Sequence, residues 1–217
     1  MVVFEESSLG LLAAASQDAK GSRLSVTTIT ISRQLGSQGT QIAREVGTRL
    51  GFGVLRREVI NEAARRAGAP EVALAAIDYL GLFDLHPSQE ACRSYRQAVR
   101  EVIEGLADEG EVVIVGRAGQ VVLAGRPDVL HVRIIAPPDV RIKRIEALQD
   151  IPTAAARAQM ERSDRTRREY LHCAHDVHWN NPELYDLVLN TERMTVASSA
   201  DLICRALTEC FDDRGDD

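Results

Sequence analysis

Lysine is nearly missing: Lys20 and Lys143 are the only two in 217 residues, against 24 arginines, so a cation placed anywhere else is a guanidinium. Cysteine is sparse as well. Cys92, Cys173, Cys204 and Cys210 form no Cys-x-x-Cys pair and lack the density of a disulfide scaffold, which predicts a reduced, cytoplasmic setting. No apolar run approaches the roughly 20 residues that a membrane helix needs. The short apolar stretch from Gly10 to Ala15 follows Glu5 and Glu6 rather than the basic segment of a secretory signal. Neither a membrane span nor a signal peptide is expected.

What remains is the composition of an ordinary globular domain, 45% hydrophobic and 27% charged. A domain of this size removes roughly 70% of its unfolded surface from water, so it needs no disulfide or structural metal. The formal net charge is −6, and part of it sits in the closing Asp212 to Asp217 run. Residues 141 to 168, by contrast, hold eight basic residues against four acidic ones. That excess suits an anionic ligand, although a solvated helix face would look the same. A nucleic-acid surface would ask for a broader basic face, and none is expected.

Residues 1–25 mix Ser, Gly, Ala and charge without periodicity and read as a loose leader, and 212–217 as an acidic tail. From 26 to 211 the pattern is that of one domain. The β-branched run Val26 to Ile31 predicts a strand, the Gly-bearing stretch Ser32 to Gly39 a turn, and Thr40 to Leu50 a helix. A short strand at Val54-Leu55 and a helix from Glu58 to Ala67 follow. A long helix carries Ala91, Tyr95, Ala98, Val99, Val102, Ile103 and Leu106 at mostly three- or four-residue spacing, and Gly110 stops it. Val112 to Val115 and Val129 to Ile135 read as buried strands, Pro138 opens a helix through Leu148, and Leu187 to Leu189 is the last strand. Thr195 is placed to cap a final helix. Strands alternating with helices imply a parallel sheet covered on both faces: an α/β fold, a three-layer α/β/α sandwich.

In open parallel sheets ligands lie beyond the carboxyl ends of the strands, so the residues just after each strand are the candidates. After the first strand come Ser32, Arg33, Gly36, Ser37, Gly39 and Thr40, where glycines and the amides of a helix start can converge on phosphate oxygens. No lysine follows Gly39, so the Gly-x-x-x-x-Gly-Lys pattern is absent and Arg33 is the nearest cation. After the third strand Arg117 lies between glycines, in Gly116-Arg117-Ala118-Gly119. After the last come Asn190 and Thr191, which suit either a base edge or a turn. Within Glu161 to Arg168 a three-residue spacing puts Arg162, Arg165 and Arg168 on one side of a helix, as a phosphoryl-transfer site demands of its mobile cations.

Taken together, Ile29 to Ser37, the Val-Ile-Val-Gly-Arg element ending at Arg117, Glu161 to Arg167, and Trp179 to Thr191 resemble the cytidylate kinase-like family of P-loop nucleoside monophosphate kinases. The resemblance runs from about Thr28 to the last helix. It implies a P-loop nucleoside triphosphate hydrolase fold, ATP and Mg²⁺ as cofactors, and a nucleoside monophosphate, (deoxy)cytidylate-like, as partner. An acceptor-binding insertion is then expected at about 55–89 and a lid at about 150–178. By the same resemblance Ser32, Arg33, Gly36, Ser37, Gly39, Thr40, Asn190 and Thr191 would hold the donor nucleotide, and the hydroxyls of Ser37 or Thr40 the metal. Arg162, Arg165 and Arg167 would be catalytic, while Arg117, Arg57 and Asp164 would hold the acceptor.

Three departures from the family pattern stand out. Gln38 replaces a glycine, Ala118 replaces an acid after Gly-Arg, and Thr166 replaces an acid in the lid. They motivate an alternative, a nucleotide-binding regulatory module that keeps the fold without turnover. His172, Cys173, His175 and His178 raise a zinc alternative, but their spacing fits no zinc pattern.

Overall fold

The computed structural model describes residues 26–56, 60–61, 65 and 89–209. Five strands form one parallel sheet: β1 (Thr28–Arg33), β2 (Gly53–Arg56), β3 (Val112–Val115), β4 (Val129–Ile135) and β5 (Leu187–Asn190), in the order β2-β3-β1-β4-β5. The helices are α1 (Gly39–Leu50), α2 (Gln89–Glu109), α3 (Gly119–Val122), α4 (Pro138–Gln149), α5 (Thr153–His175) and α6 (Val196–Glu209). A 3₁₀ turn at Pro182–Leu184 precedes β5.

β1 lies at the centre, paired to β3 on one side (Ile29 opposite Val113) and to β4 on the other (Ile31 opposite Val132). Its side chains alternate. Ile29 and Ile31 are buried with Ile42, Ala43 and Val46 of α1 and Ala200 and Ile203 of α6, which cover one face of the sheet. The other face is covered by α2 and the residues around α3, where Ala98, Val99, Ile103 and Ala107 pack with Val112, Ile114, Leu123 and Val129. Complete burial of each large aliphatic side chain contributes roughly 1.5–3 kcal/mol, so both helical layers are held by the hydrophobic effect. The α/β/α sandwich expected from the strand-helix alternation is present, and Thr195 caps α6, its hydroxyl accepting the amide of Ser198 at 3.1 Å.

Three elements differ from the sequence-based expectation. β1 runs two residues further than Ile31, because Ser32 and Arg33 continue the ladder against Arg133 and Ile134 of β4. α5 is one helix of 23 residues, longer than the Glu161 to Arg168 segment. α3, at only four residues, was not anticipated. The expected helix from Glu58 to Ala67 is described only at Ile60, Asn61 and Arg65, all helical; most of the expected insertion at 55–89, with Arg57, lies outside the described residues, as do the leader and the acidic tail. Among the described residues no helix is long and apolar enough to cross a membrane.

Candidate active site

The strand order brings two turns together at the carboxyl edge of the sheet. The loop after β1, residues 34–38, lies beside the turn after β3, because the two strands pair and the Gly116 amide extends the ladder to the Ile31 carbonyl at 3.1 Å. This is the crevice where open α/β sheets bind ligands.

The carbonyls of the loop are all occupied. Gln34 O accepts from the Ser37 amide (3.3 Å) and hydroxyl (2.8 Å). Leu35 O accepts from Arg141 Nη1 at 3.2 Å, Gly36 O from Arg144 Nη1 at 3.4 Å, and Ser37 O from Thr191 Oγ1 at 2.9 Å. Gln38 O accepts from the Ile42 amide at 3.0 Å. The amides of Leu35, Gly36, Gln38, Gly39 and Thr40 donate to no protein carbonyl among the described residues. A loop with its carbonyls tied down and most of its amides open, running into a helix N-terminus, has the donors that could hold an anion. The backbone bends for it: Gly36 (φ 78) and Gln38 (φ 64) are both left-handed, and at Gln38 that conformation costs roughly 1 kcal/mol or more. Gly36 is required twice over, since a Cβ there would meet the Arg141 carbonyl at 2.7 Å.

Arg33 lies under this loop. A Cβ on Gly39 would fall 2.5 Å from Arg33 Cβ, and one on Gly116 would fall 2.5 Å from Arg33 Nη1. The side chain therefore runs from the start of α1 to the end of β3, in space that two glycines leave open, and brings a guanidinium to the crevice. The turn it reaches is itself bent. Gly116, Arg117 and Ala118 are three consecutive left-handed residues, with φ of 86°, 53° and 56°.

Ser32 does not face the loop. Its buried hydroxyl accepts the Trp179 indole N–H at 2.9 Å and the Tyr185 hydroxyl at 3.4 Å. Arg133, also buried, stacks its guanidinium 4.4 Å from the Trp179 ring and bonds to the Trp179 carbonyl, the Tyr185 hydroxyl (3.0 Å) and Asn180 Oδ1 (2.7 Å). These residues form a wall behind the crevice. Thr191 is likewise interior: besides holding Ser37 O, its Oγ1 accepts Arg144 Nη1 at 3.0 Å. Asn190 makes the turn, its Oδ1 accepting the Glu192 amide at 3.0 Å. Ser37 is fully buried, whereas Thr40 is half-buried at the start of α1.

On α5, Arg162, Arg165 and Arg168 are exposed and Arg167 is half-buried, with its guanidinium bonded to the Ser163 hydroxyl. Asp164, expected on the acceptor, is instead buried in a two-point ion pair with Arg141, at 2.8 and 3.1 Å. At the end of α5 the rings of His172 and His178 stack 5.7 Å apart, and His175 packs edge-on to Tyr170. Burial, with Arg100 and Arg96 adding repulsion, pushes His175 down to about 4. No group of three metal-ligating side chains gathers among the described residues.

Sequence reasoning missed Gln34, Arg133, Arg141 and Arg144. Gln34 ties the loop to β4, its Oε1 accepting the Ala136 amide at 3.1 Å. The only signal for Arg141 was its place four residues before Ile145, on the side of α4 that buries Ile142 and Ile145.

The sequence profile of the cytidylate kinase-like family matches residues 28–193. A cytidylate kinase from Thermococcus sibiricus is 30% identical over 165 residues, 75% of this chain and 78% of that protein. One from Methanothermobacter thermautotrophicus is 27% identical over 172 residues, 79% and 99% of the respective chains. A uronate isomerase from Corynebacterium glutamicum is 35% identical over 108 residues, half of this chain but only 20% of that protein. Among solved structures, an uncharacterized protein from Eubacterium ventriosum superposes with a TM-score of 0.67 at 19% identity, covering 84% of this chain and 98% of that one. Shikimate kinase from Acinetobacter baumannii does so at 0.51 and 14% identity, over 85% and 94%, and shares the fold. With its five-stranded parallel sheet and a profile match over most of its length, this chain belongs to the cytidylate kinase-like family.

Proposed function

We propose that the protein transfers the γ-phosphoryl group of ATP to a nucleoside monophosphate of the (deoxy)cytidylate type. Family membership supports a nucleotide kinase-like phosphotransferase. The observation that carries the phosphate-binding part of the reading is the 34–38 loop, whose carbonyls are all bonded while the amides of Leu35, Gly36 and Gln38 donate to no protein carbonyl among the described residues; the cytidylate acceptor rests on the likeness to cytidylate kinases. Gly36, Gly39 and Thr40 would hold the donor phosphates through their backbone amides, with Ser37 shaping the loop between them, and Arg33 would supply the cation that a lysine supplies in a Gly-Lys-Ser/Thr loop.

In the transfer, an oxygen of the acceptor phosphate forms a bond to the γ-phosphorus as the bond to the β,γ-bridging oxygen breaks and ADP leaves. Charge spreads over the equatorial oxygens, so positioning and cations carry the catalysis and no general base is needed. Arg162, Arg165 and Arg167 of α5 would neutralise the group in flight. Arg117 and Arg57 would grip the acceptor phosphate. A Mg²⁺ ion suits the donor set, since the half-buried Thr40 hydroxyl is a hard oxygen at the mouth of the loop, and it would neutralise the β- and γ-phosphates.

The test is ADP release from ATP and Mg²⁺ against a panel of CMP, dCMP, UMP, AMP and GMP. Acceptor-dependent ADP release, highest with a cytidylate, is expected. ATP binding without turnover on any acceptor would refute the transferase and leave the regulatory module. The variant Arg117→Ala should raise the acceptor KM by about ten- to a hundredfold, the worth of a hydrogen bond to a charged group, with ATP affinity unchanged.

A further inference from the structure

Asp164 sits in the lid segment that the family resemblance would aim at the acceptor, yet its carboxylate is spent elsewhere. It follows Ala156 and Met160 at four-residue intervals, the stripe by which α5 packs against Ile142 and Ile145 of α4. There it receives both terminal nitrogens of Arg141, and both side chains are nearly sealed from water, at 4% and 9% exposure. The same Arg141 Nη1 donates to the Leu35 carbonyl, and the Leu35 side chain packs into the α4–α5 cluster. The Arg141 backbone closes over Gly36 from the same side. One guanidinium thus touches the lid helix and the loop at once.

Resting on the phosphotransferase reading above, we propose that Asp164 and Arg141 are positioning residues for the donor triphosphate: they act through Leu35 on the conformation of the 34–38 loop, not on the acceptor. The carboxylate fixes the guanidinium in the plane that meets the Leu35 carbonyl, because a two-point pair leaves arginine little rotational freedom. With that carbonyl held, the neighbouring amides stay turned toward the phosphates. The half of α5 up to Asp164 is clamped to the loop for the same reason.

The experiment measures ATP affinity by calorimetry, and acceptor KM and kcat by ADP release, for wild type, Asp164→Asn, Arg141→Lys and the double variant, well below their unfolding temperatures. Each single variant should weaken ATP binding about tenfold, and the double variant no more than the worse single one, as expected of coupled partners. Acceptor KM should stay within about twofold of wild type on that coupling argument. Unchanged ATP affinity, or an acceptor KM that rises in its place, would overturn the assignment. Hydrogen exchange on the wild-type protein gives a second reading that needs no variant. ATP alone should slow exchange in residues 34–38 and 156–164 together, and protection of 156–164 by CMP alone would contradict the proposal. Failure of the wild type to bind ATP would refute the transferase itself, whereas binding that the variants leave untouched refutes only this coupling.

Discussion

Two glycines on helices make opposite demands, and replacing each by alanine isolates the place of Arg33. Gly105 is interior to α2, where alanine gains about 0.5–1 kcal/mol of helix propensity over glycine, whereas Gly39 is the first residue of α1. At Gly105 of α2 an added Cβ meets nothing within 4 Å, so Gly105→Ala should stabilise by that amount. At Gly39 it would fall 2.5 Å from Arg33 Cβ, 3.0 Å from Arg33 Cγ and 3.3 Å from Ile134 Cβ. Ordinary carbon contacts begin at about 3.5 Å, so the Arg33 stem or the start of α1 must move on the order of 1 Å. The nearest atom is the Arg33 Cβ, which cannot swing aside as the end of a side chain can, and overpacking of that kind costs about 1–3 kcal/mol. At about 2–4 °C per kcal/mol for a domain of this size, Gly39→Ala should melt several degrees below wild type and Gly105→Ala a few degrees above it. A displacement of 1 Å at a phosphate site also costs roughly a hundredfold in rate, so Gly39→Ala should lose ADP release out of proportion to its stability. Thermal melts and the ADP assay at a temperature where both variants are folded decide the matter. If Gly39→Ala proves as stable and active as Gly105→Ala, Arg33 does not occupy the space beneath the loop and cannot stand in for a lysine there.

Thr191→Val keeps shape but removes the hydroxyl that holds Ser37 O and receives Arg144, leaving interior groups short of a partner; it should cost about 1–3 kcal/mol in urea denaturation and weaken ATP binding, and a loss below about 0.5 kcal/mol would deny Thr191 that role. His175 supplies a pH dependence. Its folded value, about 4, lies below the ordinary 6.5, so between these pH values the unfolded chain binds a proton that the folded chain refuses. Stability present above pH 6.5 should therefore be lost as the pH falls toward 4. The variant His175→Phe, which can keep the edge contact to Tyr170, should show a shallower acid decline, and identical slopes would count against the burial of the imidazole.

The fold was legible where one local signal sufficed. The β-branched run before a glycine turn marked β1 and α1, the apolar run marked β3, and Pro138 and Thr195 marked helix starts, because each is decided by backbone preference or burial within a few residues. α5 was legible only in part. Its inward stripe of Ala156, Met160 and Leu171 is interrupted by Asp164, a charge that is at home there only because Arg141 meets it from another helix. The end of β1 was missed for a similar reason: Ser32 is satisfied by Trp179, 147 residues away. Residues whose partners are that distant carry no local signature.

The same limit explains the site. A nearly lysine-free domain must use arginine for every cationic task, so residue type alone cannot separate an arginine that binds a ligand from one that holds the backbone. Burial separates them. Arg133 and Arg141, both buried, are consumed by carbonyls, a hydroxyl and one carboxylate, whereas Arg162 and Arg165 of α5 are exposed. The basic excess of residues 141 to 168 is therefore not one patch. Arg141 is neutralised by Asp164 and Arg144 is committed to Gly36 and Thr191, so the charge left for an anion is concentrated on α5. A catalytic cation must be free to change partners as charge develops, and an arginine sealed against a carboxylate is not. Under the proposed transfer the exposed arginines are therefore suited to the moving phosphoryl group, and Arg141 and Arg144 to keeping still the loop that would hold the donor phosphates.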